Sequence, residues 1–506
     1  MKTFSTRYAA LTAILLIALI LRLYKINGPV LDWHSFRQAD TASVTREYVK
    51  HGIDLLHPKY QDLGSIQSGI DNLEGYRMVE FPILNAVVAV IVKAVPTFSL
   101  EIVHRLISIF FSLGTLVTLF FLTKEFSGTK VAYVTAFLFA VLPYNLFYSR
   151  TILPEPTQLF LFCFSLLAFW NWLKSKDYRW FIGALICISV ALLLKPFTIF
   201  FFPIFLAMAY IKQKKGLLKN IWLYIFVILS ILPLAWWRSW IEQFPSGIPV
   251  NHWLFNSDTN NVPAWIASNP ALNMLNTAFG YNPDGLRYGP AWIRWLGYER
   301  LTKLILGYIG VILLPIALYK VKTKEWWLYG SWWLGVILYF IVIARGNVQH
   351  DYYQVLVIPI ICITAARGAV MMATFLTKKF TGIIGIGTTA VLIFLALFLS
   401  AEQVKGFYIN NHPEYIIAGK AVDQKTPESA KVIAPAFGDT MFLYQTNRTG
   451  WPMNLDIDAK IKLGATHYVT TSYDDEAREL EKKYFTIEKT PEYILLDLTR
   501  PTQEQP

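Results

Sequence analysis

The chain has 506 residues, 55% of them hydrophobic and 16% charged, with mean hydropathy +0.41. Soluble domains carry about a quarter charged residues, so this composition excludes an ordinary soluble globular protein and points to a polytopic membrane protein. The net charge of +12 does not imply nucleic acid as a partner, because the lysines and arginines stand in short clusters beside apolar runs.

The first apolar run, 8–24, follows Lys2 and Arg7. It lacks a clear small-x-small cleavage site, so it reads as a retained helix and not as a removed signal peptide. Further runs lie near 101–123, 131–147, 157–173, 181–194, 197–211, 221–237, 301–319, 326–344, 353–375 and 382–400. One more run, 82–96, has about 15 residues. As a helix it reaches only ~22 Å, short of the ~30 Å hydrocarbon core. Basic clusters at Lys2/Arg7, Lys124/Lys130, Lys174/Lys176/Arg179, Lys212–Lys219, Lys320–Lys324 and Lys378/Lys379 mark cytoplasmic ends. An even number of crossings between successive clusters then requires 82–96 to lie at the interface. The expectation is a mainly α fold with about eleven transmembrane helices, the N-terminus inside and the C-terminus outside. The domains expected are 1–400 in the membrane, with large outer loops at 28–100 and 238–300, and 401–506 outside. In the tail, KVIAPA, HYVTTS, FTIEKT and YILLDL read as strands, and 413–424 and 474–484 as helices. The three cysteines, Cys163, Cys187 and Cys362, sit in apolar runs without metal-ligand spacing and read as packing residues.

The stretch LDWHSFRQADTASVTREY, Leu31 to Tyr48, emerges from the first span unusually polar. Its pattern is helical from about Ser35, whose hydroxyl could cap the first turn. Arg37 and Asp40 stand at i and i+3 on one face. Asp40 could take a proton from an acceptor hydroxyl, or could simply pair with Arg37. Asp32 is an alternative base, or a cap. Glu80, in MVEFPIL, precedes a helix opened by Pro82. It could be a helix-start carboxylate or line a site. Arg150 and Glu155 share a short outer turn. Lys195 interrupts two apolar runs, and an ionisable group near membrane depth is a functional candidate by default, against a lysine snorkelling to the interface. His350, Asp351, Tyr352 and Tyr353 cluster at a span start, where tyrosines also serve as anchors. Cations at Arg37, Arg150, Lys195 and His350 would suit an anion at the membrane surface, and a lipid phosphate is the natural one. If that phosphate carries a sugar, it is a good leaving group. Cations must stabilise it, and one carboxylate base suffices.

These pieces together resemble the GT-C glycosyltransferases, specifically the protein O-mannosyltransferase and aminoarabinose-transferase group (glycosyltransferase family 39-like). The resemblance runs over roughly 8–400. It is carried by HSFRQADTA with TREYVKHG, VEFPIL, the segment RLISIFF…SRTILPEP, and more weakly LLLKPF and HDYYQVLVIP. It implies sugar transfer, hexosyl or pentosyl and usually inverting, from a polyprenyl-phosphate donor to a glycan, lipid or protein acceptor on the non-cytoplasmic face of the plasma membrane. It puts the base on Asp40 and donor-phosphate contacts on Arg37, Arg150, Lys195 and His350. Glu80, Glu155, Tyr352 and Tyr353 would line the site. It also implies no required metal, with a divalent ion as the alternative. The chain departs from the pattern twice. Arg37-Gln38 stand where many members have Asp-Glu, and Phe81 stands where a lysine is common. Two other functions fit the composition: a lipid or sugar transporter, which would place charges near the midplane in repeated halves, and a non-catalytic membrane scaffold.

Overall fold

The computed structural model describes residues 8–250, 254–256, 266, 268–280 and 285–502. Lys2, Arg7 and much of the expected second outer loop, 251–253, 257–265, 267 and 281–284, lie outside the described residues. Six helices are long and apolar enough to cross a membrane by length and composition: Leu100–Ser127, Glu155–Ser175, Pro196–Lys219, Ile221–Ile241, Asp351–Lys379 and Gly382–Tyr408. Shorter apolar helices are Ala9–Arg22, Ile83–Ala94, Thr129–Val141 and Tyr178–Leu194. Ile383, Ile386 and Phe394 on Gly382–Val404 are exposed. Apolar surface of this kind is stable only against lipid or another apolar partner. The Ile83–Ala94 helix has 12 residues, about 18 Å long, too short to span.

Two expected spans are broken, each for a local reason. The run 131–147 divides into Thr129–Val141 and Pro143–Tyr148, because Pro143 has no N–H and its ring clashes with the preceding turn. The carbonyls this exposes are taken up by other groups. Arg22 donates to Ala140 at 2.9 Å and to Phe139 at 3.2 Å, and Asn145 donates to Phe139 at 2.7 Å. The run 301–319 is not one helix. A π-helical stretch, Arg294–Ile305, gives way to short turns at Ile309–Ile312 and Leu313–Ile316. Gly307 and Tyr308 between them have φ 54° and 61°. A Cβ on Gly307 would lie 1.9 Å from the Ala396 carbonyl, so this close approach requires glycine.

By backbone contacts the chain forms two compact units. One comprises 1–26, 106–237 and 251–406, and the other 27–105, 238–250 and 407–506. This grouping differs from a single boundary near residue 400. In the second unit, strands β1 (Lys431–Ile433), β2 (Thr449–Trp451), β3 (His467–Thr470), β4 (Tyr484–Lys489) and β5 (Ile494–Pro501) form one sheet of order β2-β1-β3-β5-β4. β1 runs parallel to β2 and β3, and β5 antiparallel to β3 and β4. The first loop joins this sheet. Leu63 donates to the Gly450 carbonyl at 2.8 Å, and Gly450 donates to Gln61 at 2.9 Å. One sheet face packs on Tyr415, Ala418, Val422 and Phe442, together with Leu31 from the loop. Gly450 is needed for this edge, since a Cβ there would meet the Val432 carbonyl at 1.8 Å. Gly450→Ala is expected to destabilise the unit by at least about 1–3 kcal/mol through overpacking, read as a lower thermal midpoint of the purified chain.

Candidate functional site

The Ser35–His51 helix ends at Gly52, whose φ of 101° stops it. Its N-cap is His34, in the left-handed region with φ 55°, and Ser35 is already the first helical residue. Ser35 is therefore not the cap expected from the sequence. Its hydroxyl lies 3.0 Å from the Met441 sulfur instead. Arg37 forms an ion pair with Glu80, and Arg238 lies within electrostatic reach of Glu80. Asp40 does not use Arg37. It pairs with Arg77 at 3.0 Å and accepts from Gln67 Nε2 at 3.2 Å and Thr440 Oγ1 at 2.7 Å. Its exposure is 1%. Both oxygens are thus engaged, by partners 27, 37 and 400 residues away in sequence. The i, i+3 spacing gave no hint of these contacts.

Asp32 is placed differently. Its Oδ1 accepts from Gln38 Nε2 at 2.7 Å, so a carboxylate stands against one of the two residues that replace the resembled family's Asp-Glu pair. Asp32 lines a cavity of about 210 Å³ with Trp33, His34, His412 and Asp439. Trp33 stacks on Phe407 with ring centroids 5.0 Å apart. Burial pushes the Asp439 carboxyl up to about 6, with the Asp40 charge adding to the rise against a Met441 N–H bond.

Asp62, fully buried, is a further acid that the sequence reading passed over. Burial pushes it up to about 7, and the charge on Asp40 adds to this, against the Gly64 N–H bond and Arg77. A carboxyl raised in the folded state gives stability that is complete below the unfolded value near 4. That stability is lost as pH rises through about 7. Asp62→Asn should remove this slope and stabilise the chain at pH 8 by on the order of 4 kcal/mol, with a smaller gain at pH 5. Thermal unfolding at the two pH values checks it.

The other predicted residues gather in the first unit. Glu155 opens the Glu155–Ser175 helix after Pro154. Lys195 follows the Tyr178–Leu194 helix in extended conformation, φ −152° and ψ 115°, as the residue before Pro196 should. A carboxylate at a helix start and a cation at a helix end both suit the dipole. They meet as a buried ion pair at 3.1 Å. Lys195 also stands 5.9 and 5.7 Å from the rings of Tyr352 and Tyr353, and His350 packs on both tyrosines at 5.2 and 5.5 Å. Glu155, Lys195, His350, Tyr352 and Tyr353 therefore form one cluster. Arg150, 1% exposed, reaches the Lys25 carbonyl at 3.4 Å and the Phe147 ring. Asp351 was seen only as part of the HDYY run. It accepts from Tyr148 Oη at 2.5 Å and faces Arg300 at 3.6 Å. Arg77 and Arg300 had no local sequence signal, because each meets its acid across a long stretch of chain. Two of the four cations expected to hold phosphate, Arg37 and Lys195, already face a carboxylate. Among the described residues no group of three or more His, Cys, Asp or Glu is placed to hold a metal ion.

Residues 82–240 match the family model described as dolichyl-phosphate-mannose-protein mannosyltransferase. No curated protein matches the chain. Among solved structures, ArnT from Cupriavidus metallidurans bound to undecaprenyl phosphate is similar with TM-score 0.61 and 14% identity, over 97% of this chain and 98% of that one. The oligosaccharyltransferase AglB from Archaeoglobus fulgidus, in complex with an inhibitory peptide and a dolichol-phosphate, is similar with TM-score 0.57 and 12% identity, over 99% of this chain and 75% of that one. The chain is thus an integral membrane protein of GT-C fold. The mannosyltransferase segment and this fold agree with the resemblance read from the sequence.

Proposed function

We propose that the chain moves a sugar from a polyprenyl-phosphate donor to an acceptor hydroxyl, with inversion. In this reading the reaction takes place on the non-cytoplasmic face of the plasma membrane, where the 401–506 tail lies, and the N-terminus is cytoplasmic. The acceptor oxygen attacks the anomeric carbon and the C–O bond to phosphate breaks. The hydroxyl proton passes to a carboxylate and the lipid phosphate leaves as an anion. The observation that carries the reading is Asp32, a carboxylate held by Gln38 at 2.7 Å at the edge of a cavity. A general base must reach the proton it takes, and a cavity-lining acid meets that requirement. Asp40, the base expected from the resemblance, is better suited to holding Arg77, Gln67 and Thr440 in place. Arg37, Arg150, Lys195 and His350 remain the proposed donor-phosphate contacts. Glu80 and Glu155 neutralise Arg37 and Lys195 until the phosphate arrives, and Tyr352 and Tyr353 line the site. No metal is required in this proposal, so transfer should survive a chelator.

The test is label transfer in membranes containing the full chain, from radiolabelled polyprenyl-phosphate hexose and pentose donors. Transfer by the wild type supports the proposal. No transfer from any donor, in membranes where the folded protein is present, overturns it in favour of a non-catalytic scaffold.

A further inference from the structure

The first unit carries an apolar groove that the proposed reaction does not use. Its cavity is about 520 Å³. Trp326, Trp327, Leu334 and Ile337 of the Thr323–Val342 helix wall it, with Leu318 from the preceding turn. Trp326 is 60% exposed and Leu318 65%. The polar groups at its floor are satisfied internally. Arg367 pairs with Glu325 at 3.4 Å and donates to the carbonyls of Tyr319 at 3.1 Å and Lys320 at 3.0 Å. Trp333 Nε1 donates to Thr364 at 3.1 Å. What remains open to an occupant is hydrocarbon and aromatic surface.

The mouth of this groove is cationic from two sides. Lys320 and Lys322 lie on the segment that leads into the helix, and Lys324 in its first turn. Lys324 reaches the Glu125 carbonyl at 2.8 Å. Lys320 lies against the Tyr319 ring; the Lys322 backbone N–H donates to Glu325 at 3.0 Å, and neither the Lys320 nor the Lys322 ammonium forms an ion pair among the described residues. The second basic segment comes alongside through a ring contact. Tyr210 packs on Trp327 at 4.6 Å, and Lys214 stands over Tyr210 at 5.4 Å, which brings in the lysine-rich Lys214–Lys219 turn. Among the described lining residues the acid is Glu325, which pairs with Arg367, while Glu125 beside Lys324 pairs with Lys174 at 3.0 Å. An apolar slot opening between two lysine-rich segments is complementary to a molecule with an apolar chain and an anionic head. Basic pockets between membrane helices hold such headgroups.

The geometry points to a resident anionic phospholipid, with one acyl chain in the groove beside Trp326 and Trp327 and its headgroup phosphate among Lys214, Lys320 and Lys322. The site does not depend on the glycosyl-transfer reading.

Native mass spectrometry of the purified full chain tests this. The chain is titrated with palmitoyl-oleoyl phosphatidylglycerol, phosphatidylcholine of the same chains, and undecaprenyl phosphate. The expected preference for phosphatidylglycerol over phosphatidylcholine is about tenfold. The triple variant Lys214→Gln, Lys320→Gln, Lys322→Gln should reduce that preference to less than about threefold. Gly330 also lines the groove, and a Cβ there meets nothing within 4 Å. Gly330→Phe therefore starts from an open Cβ position and places its ring on the lined side of the helix, and a helix tolerates Phe better than Gly. This variant should lose the binding of both phospholipids while keeping its thermal midpoint. Equal binding of the two phospholipids by the wild type overturns the proposal, as does undiminished binding by Gly330→Phe. Displacement of phosphatidylglycerol by equimolar undecaprenyl phosphate also overturns it, since the groove would then be an isoprenoid site.

Discussion

Asp32→Asn is expected to lower sugar transfer by about 10²- to 10⁴-fold, the usual contribution of a general base, with the folded protein recovered in wild-type amount. The amide keeps the oxygen that accepts from Gln38 Nε2 at 2.7 Å, so the loop from Leu31 to His34 has no reason to move. It removes the charge that can accept a proton. The measurement is label transfer at equal expression, with folded protein counted by size-exclusion chromatography. Because the acceptor hydroxyl is consumed in the base step and not in donor binding, the loss should fall on kcat, with the donor KM within about threefold of wild type. Glu80→Gln gives a different pattern. It frees Arg37 from its carboxylate, so donor binding changes along with turnover. If Asp32→Asn transfers normally and the folded fraction of Glu80→Gln or Asp40→Asn loses kcat with the donor KM unchanged, the base belongs to that other acid. The glycosyl-transfer reading would survive.

The helices and the mixed tail were legible because hydrophobic length and β-branched runs report on local burial. Lysine parity removed 82–96 from the spans, and the Ile83–Ala94 helix is indeed too short to cross. The tail strand missed in the sequence is β2, Thr449–Trp451. It has three residues with Gly450 at the centre, which no propensity scale marks as a strand. What defines it is the neighbouring backbone on both sides, β1 and the 61–63 segment. The break at Pro143 follows from a residue visible in the sequence. The break at Gly307 follows from the approach of Ala396, 89 residues on, and could not be read locally.

Charged residues were the least legible. Spacing on a helix can only suggest partners three or four residues away. Arg37 and Asp40 both ignore that option, for Glu80 and Arg77. Lys195 was singled out for interrupting two apolar runs and Glu155 for its place with Arg150 on a short outer turn, and the pair at 3.1 Å unites them. Their pairing follows from antiparallel helices joined by a short turn, one contributing its start and the next its end. Asp32 was legible as an alternative base or a cap ahead of the helix. Its standing as the candidate base depends on Gln38 and on the cavity.

Asp40→Asn should cost the second unit about 3–5 kcal/mol, because removing one member of a buried ion pair leaves the other charge uncompensated. Arg77 is the charge left behind. It is 8% exposed, it bonds Gln67, and Asp40 is the carboxylate within 3.0 Å of it. The amide can still accept from Thr440, so the effect isolates the charge and not the contact with the tail. The expected readings are a lower thermal midpoint and faster proteolysis of the 407–506 segment. Arg77→Gln added to Asp40→Asn should recover part of the loss, since the Arg77 guanidinium is then no longer left without the Asp40 carboxylate. Transfer by the folded fraction separates the two roles open to Asp40. As an anchor, it gives a variant whose specific activity below the melting temperature stays within about tenfold of wild type. As the base, it gives a variant that is inactive however cold the assay and is not rescued by Arg77→Gln.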